Sequence, residues 1–255
     1  MPVMKSLILL LAVLVGGALV PALRLKNNTG LRLLLSFSGA YILALCLFEL
    51  LPEVYRGIAD PSVTGFIILG GFLLQLVLDY ISGGIEHGHT HNTHTHDHHH
   101  NNDHGHEGHE HLHSDPVVNR FPYMMMTGLC IHAFVEGIPL MLGNAGEELF
   151  LGIIFHNIPI SITLMTVFLS AGKSLKLSFA ALFVFGLMTP AGALLADWFI
   201  PAEATQYGFY ALALVIGIFF HISTTILFES DQNHRFNLIK FLTIILGAGT
   251  AFLVN

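Results

Sequence analysis

The sequence predicts an all-α polytopic membrane protein, and three observations carry that expectation. Only 11% of its 255 residues are charged and 53% are hydrophobic, with a mean hydropathy of +0.68; a soluble domain holds about 25% charged residues. Apolar runs of about 20 residues, the length that crosses a hydrocarbon core, recur from one end of the chain to the other. Most segments between them are short and built from turn formers: Asn27-Asn28-Thr29-Gly30, Asp60-Pro61-Ser62, Gly143-Asn144-Ala145-Gly146 and Ser170-Ala171-Gly172. The net charge of −7 leaves no basic face for nucleic acid. Cys46 and Cys130 lie inside apolar runs, so no disulfide framework is implied.

Eight spans are expected, over 3–23, 31–51, 63–82, 117–142, 149–169, 175–199, 207–228 and 236–254. Span 1 has Lys5 before it but Arg24, Lys26 and Arg32 after it. A signal peptide carries its charge the other way round, so a retained span with its N-terminus outside is expected. Span 2 is expected to stop where Pro52 interrupts the run, and span 6 to continue through Thr189-Pro190 to near Asp197. With the N-terminus outside, Arg24, Lys26, Arg32, Arg120, Lys173, Lys176, Arg235 and Lys240 fall on the cytoplasmic side, leaving Lys5 and Arg56 outside. This is the asymmetry of the positive-inside rule. An even number of spans puts both termini outside and the one long connection in the cytoplasm.

A short echo links the two ends of the chain. Ile67-Ile68-Leu69-Gly70-Gly71 in span 3 matches Ile244-Ile245-Leu246-Gly247-Ala248 in span 8, and Leu47-Phe48-Glu49 matches Leu227-Phe228-Glu229. Five spans separate the two three-span units, so the second is expected to be inverted, as in many transporters. The organisation expected is 1–82 for spans 1–3, 83–116 for a histidine-rich connection, 117–170 for spans 4 and 5, and 171–255 for spans 6–8.

Between His87 and His113 lie 13 of the 17 histidines, with Asp97, Asp103, Glu107 and Glu110 among them. Such a segment has no apolar periodicity and is expected to be disordered. Its imidazoles suit zinc, copper and nickel, held weakly at many alternative positions. Metal buffering or sensing is the expected role. A solvated linker is the plain alternative.

Ionisable groups inside spans are costly and usually face an interior or an aqueous path. His132 and Glu136 of span 4 are four apart and share one helical face. The short connection that follows makes spans 4 and 5 antiparallel neighbours, so His156 and Asn157 can reach the same depth. Two imidazoles and a carboxylate form a zinc-competent set with room for water. Pro139 and Pro159 each free the carbonyl four residues earlier, on Val135 and Phe155. The plain alternative is helix-to-helix hydrogen bonding and a His–Glu pair that neutralises itself. His221, followed by Ser223, Thr224 and Thr225, admits the same two readings. Glu49 and Glu53 at the outer face admit two readings, attraction of cations at the entrance or ordinary interface groups, and Asp79 and Glu229 near the cytoplasmic ends of their spans admit the same two at the exit.

At these residues the chain resembles the ZIP (Zrt/Irt-like) family of metal transporters along essentially its whole length. Glu49-Leu50-Leu51-Pro52-Glu53 is similar to the family's His-Leu-Leu-Pro-Glu ending. His132-Ala133-Phe134-Val135-Glu136-Gly137 resembles its His-Asn-x-x-(Asp/Glu)-Gly, His156-Asn157-Ile158-Pro159 its His/Gln-(Asn/Asp/Glu)-x-Pro, and Thr189-Pro190-Ala191-Gly192 its (Glu/Thr)-Pro-x-Gly. The resemblance implies eight spans in a 3+2+3 arrangement with metal bound between spans 4 and 5. Where family members with two metals have Asn and an acidic residue or His, this chain has Ala133 and Ile160, which implies one site: His132, Glu136 and His156, with Asn157 as helper.

The function expected is transport of a divalent transition metal, zinc first among Fe2+, Mn2+ and Cd2+, into the cytoplasm by alternating access, with the ion as substrate. The protein would be multi-pass in a plasma or cytoplasmic membrane, with lipid and metal as its partners, no catalytic role, and a homodimer left open. The alternatives are a metal-binding sensor or scaffold derived from a transporter, and an intramembrane zinc hydrolase with Glu136 as base. The zincin pattern His-Glu-x-x-His is absent from span 4.

Overall fold

A computed structural model of the chain describes residues 2–23, 28–82, 116–140, 147–201, 205–229 and 238–254. The histidine-rich connection, Arg24, Lys26, Arg235 and the side chains of Arg120 and Glu229 lie outside the described residues. The described residues are helical and carry no strand: α1 (Pro2–Leu23), α2 (Asn28–Leu45), α3 (Leu51–Gly57), α4 (Pro61–Ser82), α5 (Pro116–Gly137), α6 (Glu147–Ser170), α7 (Leu175–Phe199), α8 (Thr205–Glu229) and α9 (Leu238–Val254). Seven helical segments among them are long and apolar enough to cross a membrane, and α9 adds a shorter apolar helix.

Span 2 does not stop at Pro52. A π-helical segment, Cys46–Leu50, joins α2 to α3 into one rod. Proline has no N–H to donate four residues back. The chain widens by one residue per turn just before it, and the Leu51 N–H reaches the carbonyl of Cys46. Proline also falls inside α7, at Pro190, without ending the helix. Neighbouring helices make such interruptions tolerable within a membrane bundle.

Helix pairing repeats about a pseudo-two-fold. α4 packs on α8 as α9 packs on α2, and α1 packs on α6 as α7 packs on α5. The exchange of the first three spans with the last three, and of α5 with α6, accounts for all four pairs. It also leaves the pairs α1 with α7 and α2 with α8 unchanged. Close approaches follow the same scheme. A side chain at Gly71 would collide with the Leu214 carbonyl of α8, and one at Gly247 with the Phe37 carbonyl of α2. The sequence echo aligns Gly247 with Gly70, but Gly70 faces open space, so the spatial match is offset by one residue.

Two apolar cores divide the bundle. One joins α2, α3, α8 and α9 through residues such as Tyr41, Val54, Phe219 and Ala251, and takes in Leu9 of α1 and Leu149, Phe150 and Ile153 from the start of α6. The other joins α1, α5, the second half of α6 and α7 through Val13, Leu129, Ile160 and Phe185. The outer surface is apolar where a soluble protein would be polar: Phe66, Leu69, Leu73 and Leu76 of α4 are all exposed. Trp198, Phe199, Tyr207, Tyr80 and Tyr123, near helix ends, are exposed as well, as expected of aromatic belts at membrane–water interfaces.

Candidate metal centre

α5 brings its two polar groups to the interior through contact with α7. A side chain at Gly137 would meet the Thr189 carbonyl, and one at Gly192 the Phe134 carbonyl. These reciprocal glycines let the two backbones touch at the level of Glu136. Just beyond Gly137, α5 tightens into a 3₁₀ turn, Ile138–Leu140, that holds the buried Pro139. α6 presents the third group. It runs on through Pro159, and Thr163 and Ser161 return hydrogen bonds to the carbonyls of Pro159 (3.0 Å) and Ile158 (2.7 Å).

His132, Glu136, His156 and Asn157 are each at most 1% exposed. His132 Nε2 stands 2.7 Å from Glu136 Oε1, and His156 Nε2 stands 3.9 Å from the same oxygen. The two imidazole rings meet edge to face, with centroids 5.6 Å apart and planes at 77°. One ligand atom from each of the three residues lies within 4.8 Å of the others, and they are the one such group of three His, Cys, Asp or Glu among the described residues. In a tetrahedral zinc site with bonds of about 2.0–2.2 Å, neighbouring ligand atoms are about 3.3–3.6 Å apart. The observed 2.7 and 3.9 Å bracket that spacing, so shifts of under about an ångström would bring these two pairs to tetrahedral spacing.

Hydrogen bonding separates a ligand set from a packed pair. Among the described residues, neither nitrogen of His132, neither oxygen of Glu136 nor Asn157 Oδ1 has a hydrogen-bond partner. His132 Nε2 approaches Glu136 Oε1 at ion-pair distance, with no hydrogen bond between them. A buried carboxylate is costly by several kcal/mol unless it is both paired and hydrogen-bonded. A dication held by its lone pairs would offset that cost.

Ala133 and Ile160 are buried in the apolar core of α1, α5, α6 and α7, and supply no polar atom there. Thr189 is buried beside Gly137. Glu49 is half-buried in the π-helical segment, while Glu53 pairs with the exposed Arg56 at 3.3 Å.

Sequence reasoning treated Asp79 and His221 separately, and the structure brings them together. Asp79 Oδ2 is 3.2 Å from His221 Nδ1, Gln75 Nε2 donates to Asp79 Oδ1 at 3.2 Å, and Phe72 packs edge to face on the His221 ring. Thr224 and Thr225 donate to the His221 backbone carbonyl. No sequence signal joins the pair, because the inverted repeat relates span 3 to span 8 and span 2 to span 7, and the packing of α4 on α8 is tertiary.

A family model described as ZIP Zinc transporter matches residues 3–255, nearly the whole chain. No curated protein matches the sequence.

Proposed function

The chain belongs to the ZIP zinc transporter family, and on that premise we propose that it carries zinc into the cytoplasm through one site formed by His132, Glu136 and His156. Membership makes it a multi-pass integral membrane protein of a divalent metal transporter family. The observation that carries the finer reading is the buried group of two imidazoles and one carboxylate within 4.8 Å, with no hydrogen-bond partner for Glu136 or His132 among the described residues. Asn157, buried next to His156 in sequence and with no hydrogen bond to its Oδ1 among the described residues, is the candidate helper. Nitrogen and oxygen ligands with this spacing favour zinc, and admit Fe2+, Mn2+ and Cd2+.

Alternating access requires two bodies, and the two apolar cores supply a natural division. All three ligands stand on α5 and α6, so the site would travel with α1, α5, α6 and α7 against α2, α4, α8 and α9. The distribution of basic residues supports cytoplasmic placement of the histidine-rich connection and both termini outside. There the connection would receive and buffer released metal. Buried Ala133 and Ile160 support a single ion per passage rather than two.

Those same two residues favour a second reading, a metal-binding sensor or scaffold without flux. Zinc uptake by proteoliposomes holding the purified full chain decides between them. Saturable uptake that His132→Ala and Glu136→Ala abolish is expected. Bound zinc without uptake favours the sensor, and uptake unchanged by both substitutions removes the site assignment.

A further inference from the structure

α6 contributes to both apolar cores, as α1 does through Leu9 and Val13, and His156 stands at the crossing, between Ile153 in one core and Ile160 in the other. The His156 ring faces Phe219 of α8 with centroids 6.1 Å apart and planes at 67°. Its neighbour Phe155 meets Tyr41 of α2 at 5.0 Å and Phe37 at 6.3 Å. Three aromatic side chains of α2 and α8 thus grip two consecutive residues of α6. The grip lies one turn before Pro159, which has no N–H for the Phe155 carbonyl and so weakens the helix there.

The support behind Phe219 is stiff. The face of α8 that carries Leu214, Gly217 and His221 presses on α4. Gly71 abuts the Leu214 carbonyl, Gly217 abuts the Ile68 carbonyl, and His221 pairs with Asp79 at 3.2 Å. Phe219 precedes His221 by two residues, about 200° around the helix, and so points away from α4. It is fully buried. An imidazole binds a metal through a lone pair in its ring plane, so whatever fixes the ring's rotation fixes its use as a ligand.

We propose that Phe219 is a positioning residue for the metal site. Its ring holds the His156 imidazole in the ligating orientation from the opposite body and shields the bound ion, and the contact breaks and re-forms when the site changes sides. This rests on the function proposed above.

The test uses the purified full chain with zinc alone as ligand, measuring stoichiometry, the rate of zinc loss to a chelator and the KM for uptake. Phe219→Leu keeps an apolar side chain and removes the ring, and Phe219→Ala removes most of the volume. Zinc should leave the Leu variant roughly three- to tenfold faster, the worth of one edge-to-face contact, with stoichiometry kept and KM raised. Leu212→Ala, in the same helix and core, should loosen packing without speeding release. Release from Phe219→Leu at the wild-type rate overturns the inference, as does equal acceleration by Leu212→Ala. His156→Ala keeps the two questions apart. If it releases zinc as the wild type does, the site assignment fails; if it alone is fast, only the role of Phe219 fails. Should Phe219→Ala not fold, the Leu variant decides by the same criteria.

Discussion

Gly137→Ala places a methyl group at the point where the bundle has no room for one. A Cβ there would stand 2.9 Å from the Thr189 carbonyl carbon and 3.0 Å from the Ala193 nitrogen, and nearer still to the Thr189 oxygen. All three are backbone atoms of α7, which cannot rotate aside as a side chain would. Overpacking of this kind costs about 1–3 kcal/mol. At about 2–4 °C per kcal/mol for a chain of this size, the apparent Tm should fall by roughly 2–12 °C. The strain is relieved by moving α5 away from α7. That displaces His132 and Glu136 relative to His156, and zinc affinity should fall by about tenfold or more, as when a site loses its supporting contacts. Gly70→Ala is the control, since a Cβ there meets nothing within 4 Å and alanine favours the helix by up to about 1 kcal/mol. Thermal unfolding in detergent, with chelator and with saturating zinc, reads both effects. If Gly137→Ala unfolds and binds zinc like Gly70→Ala, the close α5–α7 contact does not hold the site together.

Three further outcomes follow from the same geometry. Glu136→Gln should change the stability of the zinc-free protein little, because it removes a buried charge but keeps a side chain of the same shape beside His132. It should also abolish most of the thermal shift with zinc, which for the wild type at 100 times Kd corresponds to about 2.7 kcal/mol; a metal-free variant much less stable than the wild type contradicts the reading. Asp79→Ala should destabilise by about 3–5 kcal/mol, because His221 and Gln75 lose a buried partner, while zinc stoichiometry at the α5–α6 site stays the same; a loss of that zinc would tie the two clusters together. Ile160→Glu puts a carboxylate into the apolar core beside α5 and should lower stability in chelator, with zinc or cadmium recovering part of it. Equal recovery in wild type and variant would show that the added group gains no metal contact.

Much of the fold is legible in the chain because lipid imposes a single rule, long apolar helices, on every span. The π-helical segment before Pro52 was not legible: proline announces a missing donor, but not whether the chain will end the helix or widen a turn to pass it. The offset between the Ile-Ile-Leu-Gly echo and the Gly71 and Gly247 contacts has a similar origin, since close approach depends on helix rotation as well as on residue type. At the candidate site, the four-residue spacing of His132 and Glu136 and the short connection to α6 were sufficient to expect the observed proximity of His156. Asp79 and His221 lie 142 positions apart, and no local pattern joins them. Only tertiary pairing of α4 with α8 does. Phe219 was invisible for another reason: a phenylalanine in an apolar run carries no mark that its ring faces a histidine.

The most direct measurement is X-ray absorption at the zinc edge of the full chain loaded with zinc, compared with a variant lacking residues 87–113 and with Glu136→Gln in that background. The loop-deleted protein should hold one zinc with two imidazole nitrogens and one or more oxygens at about 2.0–2.2 Å, and Glu136→Gln should lose it. A zinc that disappears with residues 87–113, or one that survives Glu136→Gln with the same shell, would contradict the assignment of His132, Glu136 and His156.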